Sequence, residues 1–245
     1  MISKVLFNEN GRKWIYFGRD AGRGETLIDT NEYLIIQDGR GMLVDPGGIE
    51  IFPSVMASVS KVIPIGNIDI LFSSHQDPDV ISSLGLWLRV CGDVTIYSSW
   101  MWGGFISHYG GEQKLQLLPD EGGVVPLGTS RDLLAVPAHY LHSPGNFSLH
   151  DPVSGILFSG DIGAALLPAD NKDIFVKDFD GHIQYMEMFH RRWMPSNKAK
   201  SRWIEMARGL NISMICPQHG AIFKGDDVPR FLDWFDALTV GEVGT

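Results

Sequence analysis

Nowhere does the 245-residue sequence gather the roughly twenty consecutive apolar residues that cross a bilayer, and its opening, MISKVLFNENGRKW, has no apolar run of signal-peptide length. A soluble, cytoplasmic protein with no membrane partner is expected. Cysteine is scarce: Cys91 and Cys216 lie far apart in apolar surroundings, which predicts buried free thiols in place of a disulfide framework. Basic residues are few, with 20 Lys and Arg against 29 Asp and Glu, for a formal charge of −9. No basic run is long enough to track phosphates, so nucleic acid is not an expected partner. No internal repeat, low-complexity tract or linker divides the chain, and one domain spanning residues 1–245 is expected. Ordinary globular composition, 44% hydrophobic and 20% charged, allows a substantial core without staples. The acidic balance means that carboxylates pointing inward need a counter-charge, which bound cations would supply.

What is present reads as alternating strands and helices. Tyr33 to Gln37 and Met42 to Val44 are apolar, β-branched runs joined by Asp38-Gly39-Arg40-Gly41, a hairpin pattern. Helical spacing of apolar residues from Ile51 to Val62 is followed by a short strand, Ile68 to Phe72, that ends at Ser73-Ser74-His75. Asp79 to Val90 reads as a helix with an acidic first turn, and Val94 to Tyr97 as a strand. A second block of strands follows, Leu133 to Val136, Asn146 to His150 and Gly155 to Ser159, broken by Pro and Gly. Ser196 to Gly209 is a helix with serine at its cap and glycine at its end, then come a strand, Ser213 to Cys216, and a helix from Asp226 to about Leu238. Strand-rich blocks in both halves, each trailed by helices, predict an α/β sandwich of two sheets with helices outside.

The chemistry concentrates in Ser74-His75-Gln76-Asp77-Pro78-Asp79-Val80, where three metal-ligand types alternate with non-ligands just after a strand. Period-two spacing turns them to one side, and Pro78 restrains the loop so that less freedom is lost when a metal gathers them. Alone, the segment equally fits a polar turn in which Asp77 caps a helix. His142, Asp161 and His219 add weight, because each lies at or just past the end of an apolar strand, where layered α/β folds present ligands.

These motifs resemble the metallo-β-lactamase superfamily, and within it the flavodiiron proteins and their shorter oxygen-binding di-iron relatives. The resemblance runs from Asn31-Glu32-Tyr33-Leu34 and Leu43-Val44-Asp45-Pro46-Gly47, through the His75 loop, to Leu141-His142-Ser143-Pro144, Leu157-Phe158-Ser159-Gly160-Asp161 and Pro217-Gln218-His219-Gly220. Hydrolases of the superfamily carry His-x-His-x-Asp-His, whereas flavodiiron proteins carry His-x-Glu-x-Asp-His, and this chain has a carboxylate, Asp77, at the position that separates them. The resemblance implies a four-layer αβ/βα sandwich with two mixed sheets. It implies a two-metal centre, with His75, Asp77 and His142 on the first metal, Asp79 and His219 on the second, and Asp161 bridging. Asp79 and Asp161 are then the candidate catalytic residues. Three imidazoles and three carboxylates form a fairly hard site that suits two Fe ions, with Zn or Mn as alternatives. A bridging carboxylate would hold the ions roughly 3.5–4 Å apart, close enough to share one small molecule or a hydroxide.

Two departures qualify the match. Asp77 is one methylene shorter than the family's glutamate, and Val80 stands where the family pattern has a histidine on the second metal, which leaves that ion an open position. His139, three residues before His142, is a candidate to fill it or to support a ligand by hydrogen bonding. His108, His150, His182 and His190 have no motif and read as surface or structural. Tyr97, Trp100, Trp102, Phe105 and Tyr109 read as core or interface, or as a flavin contact across a homodimer. Nothing after His219 is long enough for a flavodoxin-like domain, so no FMN is expected in the chain. The implied function is binding or reduction of dioxygen or nitric oxide, with electrons from an external rubredoxin or flavoprotein. An oxygen sensor with a signalling partner, as in relatives that serve bacterial chemotaxis, is the related form. The competing reading is a binuclear hydrolase of an ester, lactone or phosphodiester, supported by fold analogy and opposed by Asp77 and Val80.

Overall fold

The computed structural model describes residues 1–20, 22, 27–109, 114–128 and 132–242. It opens on a hairpin that the sequence reading passed over, β1 (Ile2–Glu9) against β2 (Arg12–Gly18). Asn10 and Gly11 form its turn with φ of 52° and 75°, the left-handed pair that lets two strands meet with matching twist. The expected hairpin follows as β3 (Asn31–Gln37) and β4 (Arg40–Val44). Three parallel strands, β5 (Ile68–Phe72), β6 (Thr95–Ser99) and β7 (Lys114–Leu118), complete a seven-stranded mixed sheet in chain order. The second sheet comprises β8 (Gly123–Val125), β9 (Leu133–Pro137), β10 (Phe147–Asp151), β11 (Ile156–Gly160), β12 (Met214–Pro217) and β13 (Phe223–Lys224). Only β11 and β12 run parallel in it.

Seven helices accompany the sheets among the described residues: α1 (Phe52–Val59), α2 (Pro78–Ile81), α3 (Leu84–Cys91), α4 (Gly103–Ile106), α5 (Phe179–Trp193), α6 (Asn197–Arg208) and α7 (Asp227–Ala237). The helix expected from Asp79 to Val90 is two pieces. Ser83 donates its hydroxyl to the Gly47 carbonyl at 2.6 Å and Ser82 accepts the Ile49 N–H at 2.9 Å, so both serines spend their side chains on the neighbouring loop where the helix breaks. α5 has no counterpart in the sequence pattern, because the histidines His182 and His190 fill buried positions of its inner face while Met188 and Trp193 are exposed. Serine at position 196 does cap α6, accepting the Ala199 N–H at 3.1 Å.

Three apolar layers account for the stacking. α1, α2 and α3 pack through Val55, Val80 and Trp87 onto Leu34, Leu43 and Leu71 of the first sheet. The sheets meet through Tyr33, Phe72, Phe147 and Phe158. α5, α6 and α7 cover the second sheet through Met186, Trp203 and Phe231. The result is the four-layer sandwich of two mixed sheets flanked by helices. Cys91 and Cys216 are buried free thiols, and burial pushes Cys91 up to about 12. No helix among the described residues is long and apolar enough to cross a membrane.

One buried ion pair ties the sheets together. Arg12 Nη1 lies 3.3 Å from Asp151 Oδ1 with both side chains fully buried, and Trp14 donates to Asp151 Oδ2 at 2.7 Å. Removing the carboxylate takes away the fully buried counter-charge that faces Arg12 Nη1 at 3.3 Å. Asp151→Ala is therefore expected to lose about 3–5 kcal/mol of stability in urea unfolding. A loss under 1 kcal/mol would show the pair to be dispensable.

Candidate metal centre

Strand ends from both sheets deliver the polar residues to one place. His75 follows β5, Asp77 precedes α2 and Asp79 lies in its first turn, all from the first sheet's side. His142 sits in the loop from β9 to β10, Asp161 directly follows β11, and His219 follows β12. Because β11 and β12 are parallel neighbours with Gly160 opposite Pro217, Asp161 and His219 emerge side by side. The halves are stitched at this point: Phe147 donates its N–H to the Ser74 carbonyl at 3.0 Å, and Tyr33 donates its hydroxyl to the Pro217 carbonyl at 2.8 Å.

All six residues singled out from the sequence converge. Asp161 Oδ2 is 2.9 Å from His142 Nε2 and 3.6 Å from His75 Nε2, while Asp77 Oδ2 is 3.1 Å and 3.8 Å from the same two nitrogens. Ligand atoms of His75, Asp77, His142 and Asp161 all lie within 4.8 Å of one another, a spacing one ion can span. The other Asp161 oxygen, Oδ1, faces a second pair: His219 Nε2 is 3.6 Å from it and 3.3 Å from Asp79 Oδ2. Asp161 Oδ1 is buried and has no hydrogen-bond partner. A buried carboxylate oxygen without a donor is costly unless a cation faces it, so the donor set fits a two-cation centre. The Asp77 and Asp79 side chains remain about a quarter and a third exposed, which marks the open side.

Outer contacts orient each imidazole. The Ser74 hydroxyl donates to Asp45 Oδ2 at 2.6 Å, so at 2.8 Å from His75 Nδ1 it accepts the ring N–H and leaves Nε2 facing the centre. His219 Nδ1 is 2.8 Å from the Asp29 carbonyl, which can only accept, fixing the same tautomer. His142 Nδ1 meets the Ser143 hydroxyl at 3.1 Å, and Gln76 donates to that hydroxyl and to Asp77 Oδ1, each at 3.0 Å. Arg19 anchors the His219 side, donating to Asp29 Oδ2 at 2.6 Å and to the Gly220 carbonyl at 2.9 Å. These supporting residues went unassigned from sequence, since a serine beside a ligand carries no pattern until the fold shows its partner.

The electrostatics follow from burial and pairing. Burial alone would raise Asp161, but His75, His142 and His219 around it hold the carboxyl well below the usual carboxylate range. Burial would lower His142, yet hydrogen bonds to Asp161 and Asp77 push it up to about 10, and Asp79 and Asp161 push His219 up to about 9 against the same penalty. Glu32, fully enclosed near His219, is pushed up to about 8 by burial.

His139 does not join the centre. Its Nδ1 accepts the Gly145 N–H at 3.2 Å and its Nε2 lies 2.7 Å from the Asp120 carbonyl, which it can only serve as a donor, so no lone pair remains for a metal. Val80 is fully buried in the apolar layer between the first sheet and its helices. Of the histidines without motifs, His108 is exposed, whereas His150, His182 and His190 are buried. In the aromatic stretch Tyr97 is core, while Trp100 and Phe105 are half exposed or more.

Residues 28–220 match the family model described as ODP family beta lactamase. A chemotaxis sensor ODP, solved as its peroxy diiron species, is 41% identical with a TM-score of 0.88, and the match covers 98% of this chain and 97% of that one. The apo state of the chemotaxis sensor ODP from T. denticola matches at 42% identity and the same TM-score, covering 98% and 96%. A mutant flavo di-iron protein from Thermotoga maritima shares the fold at 20% identity and a TM-score of 0.81, over 96% of this chain and 60% of its own. An uncharacterized protein of Methanocaldococcus jannaschii is 24% identical over 96% of this chain, which spans 61% of that relative's length. With residues 28–220 fitting the family model and the sensor matched nearly end to end, the chain belongs to the ODP family of β-lactamase-fold proteins.

Proposed function

We propose that the chain holds two iron ions in this centre and binds dioxygen or nitric oxide there, as an oxygen sensor or as a reductase fed from outside. The observation that carries the reading is the division of Asp161, with Oδ2 facing His75, His142 and Asp77 and Oδ1 facing His219. In this reading His75, Asp77 and His142 hold the first ion, Asp79 and His219 the second, and Asp161 serves both. The donor set of three imidazoles and three carboxylates supports iron over a histidine-richer zinc site. The likeness to a diiron chemotaxis sensor supports it independently.

Counting donors, the first ion has four protein ligands and the second has three, with His139 committed elsewhere. The opening therefore falls on the side of Asp79, whose side chain is about a third exposed. The fixed tautomers of His75 and His219 keep Nε2 directed inward, so little reorganisation accompanies loading. Bound as a ferrous pair, the ions supply two electrons together. Reduction of dioxygen to two waters takes four electrons and four protons, so turnover requires an external donor such as a rubredoxin or a flavoprotein, whereas sensing requires only reversible resetting.

Loaded anaerobically with Fe(II), the protein is expected to react with dioxygen within seconds and to develop a visible charge-transfer absorption. NADH alone should not sustain oxygen consumption, and a rubredoxin or flavoprotein reductase system should. The reading is abandoned if the ferrous protein is inert to dioxygen and nitric oxide while a Zn- or Mn-loaded form cleaves lactones, esters or phosphodiesters.

A further inference from the structure

The last two turns of α5 touch every part of the centre contributed by the second sheet, through residues with no motif in the sequence. His190 is fully buried among Phe231, Trp234 and Phe235 of α7, with ring centroids 6.2, 5.3 and 5.2 Å away. Its Nδ1 lies 2.7 Å from the Met186 carbonyl, which can only accept, so the proton sits on Nδ1 and Nε2 carries a bare lone pair. That lone pair accepts the N–H of Gly163 at 2.9 Å. Gly163 lies in the turn that begins at Asp161, with a φ of 92° and a Cβ position that would come within 3.0 Å of the Phe223 ring. The same helix contributes Phe189 and Trp193, whose rings stack at 5.6 Å with an interplanar angle of 10°. Phe189 lies 6.5 Å from the His219 ring, and Trp193 packs edge-on at 5.9 Å against His142.

We propose that Phe189, His190 and Trp193 form a positioning unit for the metal centre, in which His190 sets the Asp161 turn through Gly163 and the stacked aromatic pair holds His142 and His219 in register. Two independent routes thus run from one helix to both halves of the site. The hydrogen bond fixes the height of the shared carboxylate; the rings limit rotation of the two imidazoles and cover His142 from water. The unit rests on reading His142, Asp161 and His219 as ligands.

Anaerobic titration of the full-length metal-free protein with Co(II) tests it, because visible ligand-field bands report coordination geometry without any turnover. His190→Leu removes the acceptor, and His190→Gln restores an oxygen close to the Nε2 position. Leu is expected to weaken Co(II) binding about tenfold and shift the bands, while Gln recovers most of both. Trp193→Leu alters a half-exposed residue, is expected to fold, and should speed extraction of Co(II) by a chelator about tenfold. If His190→Leu does not fold, the Trp193→Leu extraction rate still decides the matter. Wild-type affinity, bands and extraction rate in all folded variants would reduce α5 to core packing and overturn the inference alone. Failure of the wild-type protein to bind two ions would overturn the ligand reading together with it.

Discussion

Asp161→Ala is expected to yield a folded protein that retains almost no iron, where the parent retains close to two ions. Of the six candidate residues Asp161 is the one that faces both halves, so in the proposed arrangement its loss takes a ligand from each ion, leaving three protein donors for the first and two for the second. Loss of a supporting partner outside the ligand set already weakens metal sites about 10–100-fold, and loss of a shared ligand should exceed that for both ions. The fold should survive. Asp161 sits in a turn whose backbone is held by other bonds, including Ala164 N–H to the Asp161 carbonyl at 3.0 Å and Gln218 N–H to the Gly160 carbonyl at 2.8 Å. Iron and protein analysis with circular dichroism as the folding control checks the outcome. A variant with its full metal complement would remove Asp161 from the bridging role and with it the division into two ions.

Metal affinity should climb steeply with pH, by about tenfold per unit for each histidine that must give up a proton. Without metal, hydrogen bonds to Asp161 and Asp77 outweigh burial and put His142 at about 10, and Asp79 and Asp161 do the same for His219 at about 9. Both are cationic at pH 7, and both must release the Nε2 proton to ligate. Loading both ions at pH 7 should then liberate close to two protons, and the rise in affinity should flatten above about 10. The stability of the metal-free protein should follow the opposite trend. Its two histidines have folded values above the ordinary 6.5, so their pairing stabilises fully below that value and is lost as pH rises through about 9 to 10. Calorimetric titration with Zn(II) in two buffers of different ionisation enthalpy counts the protons. A count near zero would mean that the carboxylates do not hold those histidines charged.

The candidate residues were legible because strand ends leave a local signature: His75, Asp161 and His219 each follow an apolar run closed by small residues or proline. Convergence of the six could be argued only from resemblance, since nothing local places Asp79 beside His219 across 140 residues; the meeting of the two sheets' strand-end loops does that, with Gln218 also donating to Asp79 Oδ2 at 3.3 Å. His139 illustrates the limit. Its spacing from His142 suggests a ligand, and only the Gly145 N–H and the Asp120 carbonyl show that both nitrogens are taken. In the fold, the β3–β4 hairpin and α6 were readable from turn and cap chemistry. The β1–β2 hairpin is equally legible in Asn10-Gly11, a left-handed turn pair between two strands. α5 is harder to read, because the histidines His182 and His190 occupy buried positions of its inner face while Met188 and Trp193 are exposed, which obscures the apolar stripe.

The pairing of β11 with β12 has a consequence for biosynthesis. These neighbours are joined by a long excursion through α5 and α6, and Asp161 and His219 face each other only once β12 has docked beside β11. A chain still emerging from the ribosome can present His75, Asp77 and His142 early, yet it cannot offer the second ion a complete set until residue 219 has been translated and that strand is in place. A complete two-ion centre is therefore expected only late in maturation, and truncation anywhere before β12 should yield a polypeptide that binds a second ion poorly however well its first sheet forms.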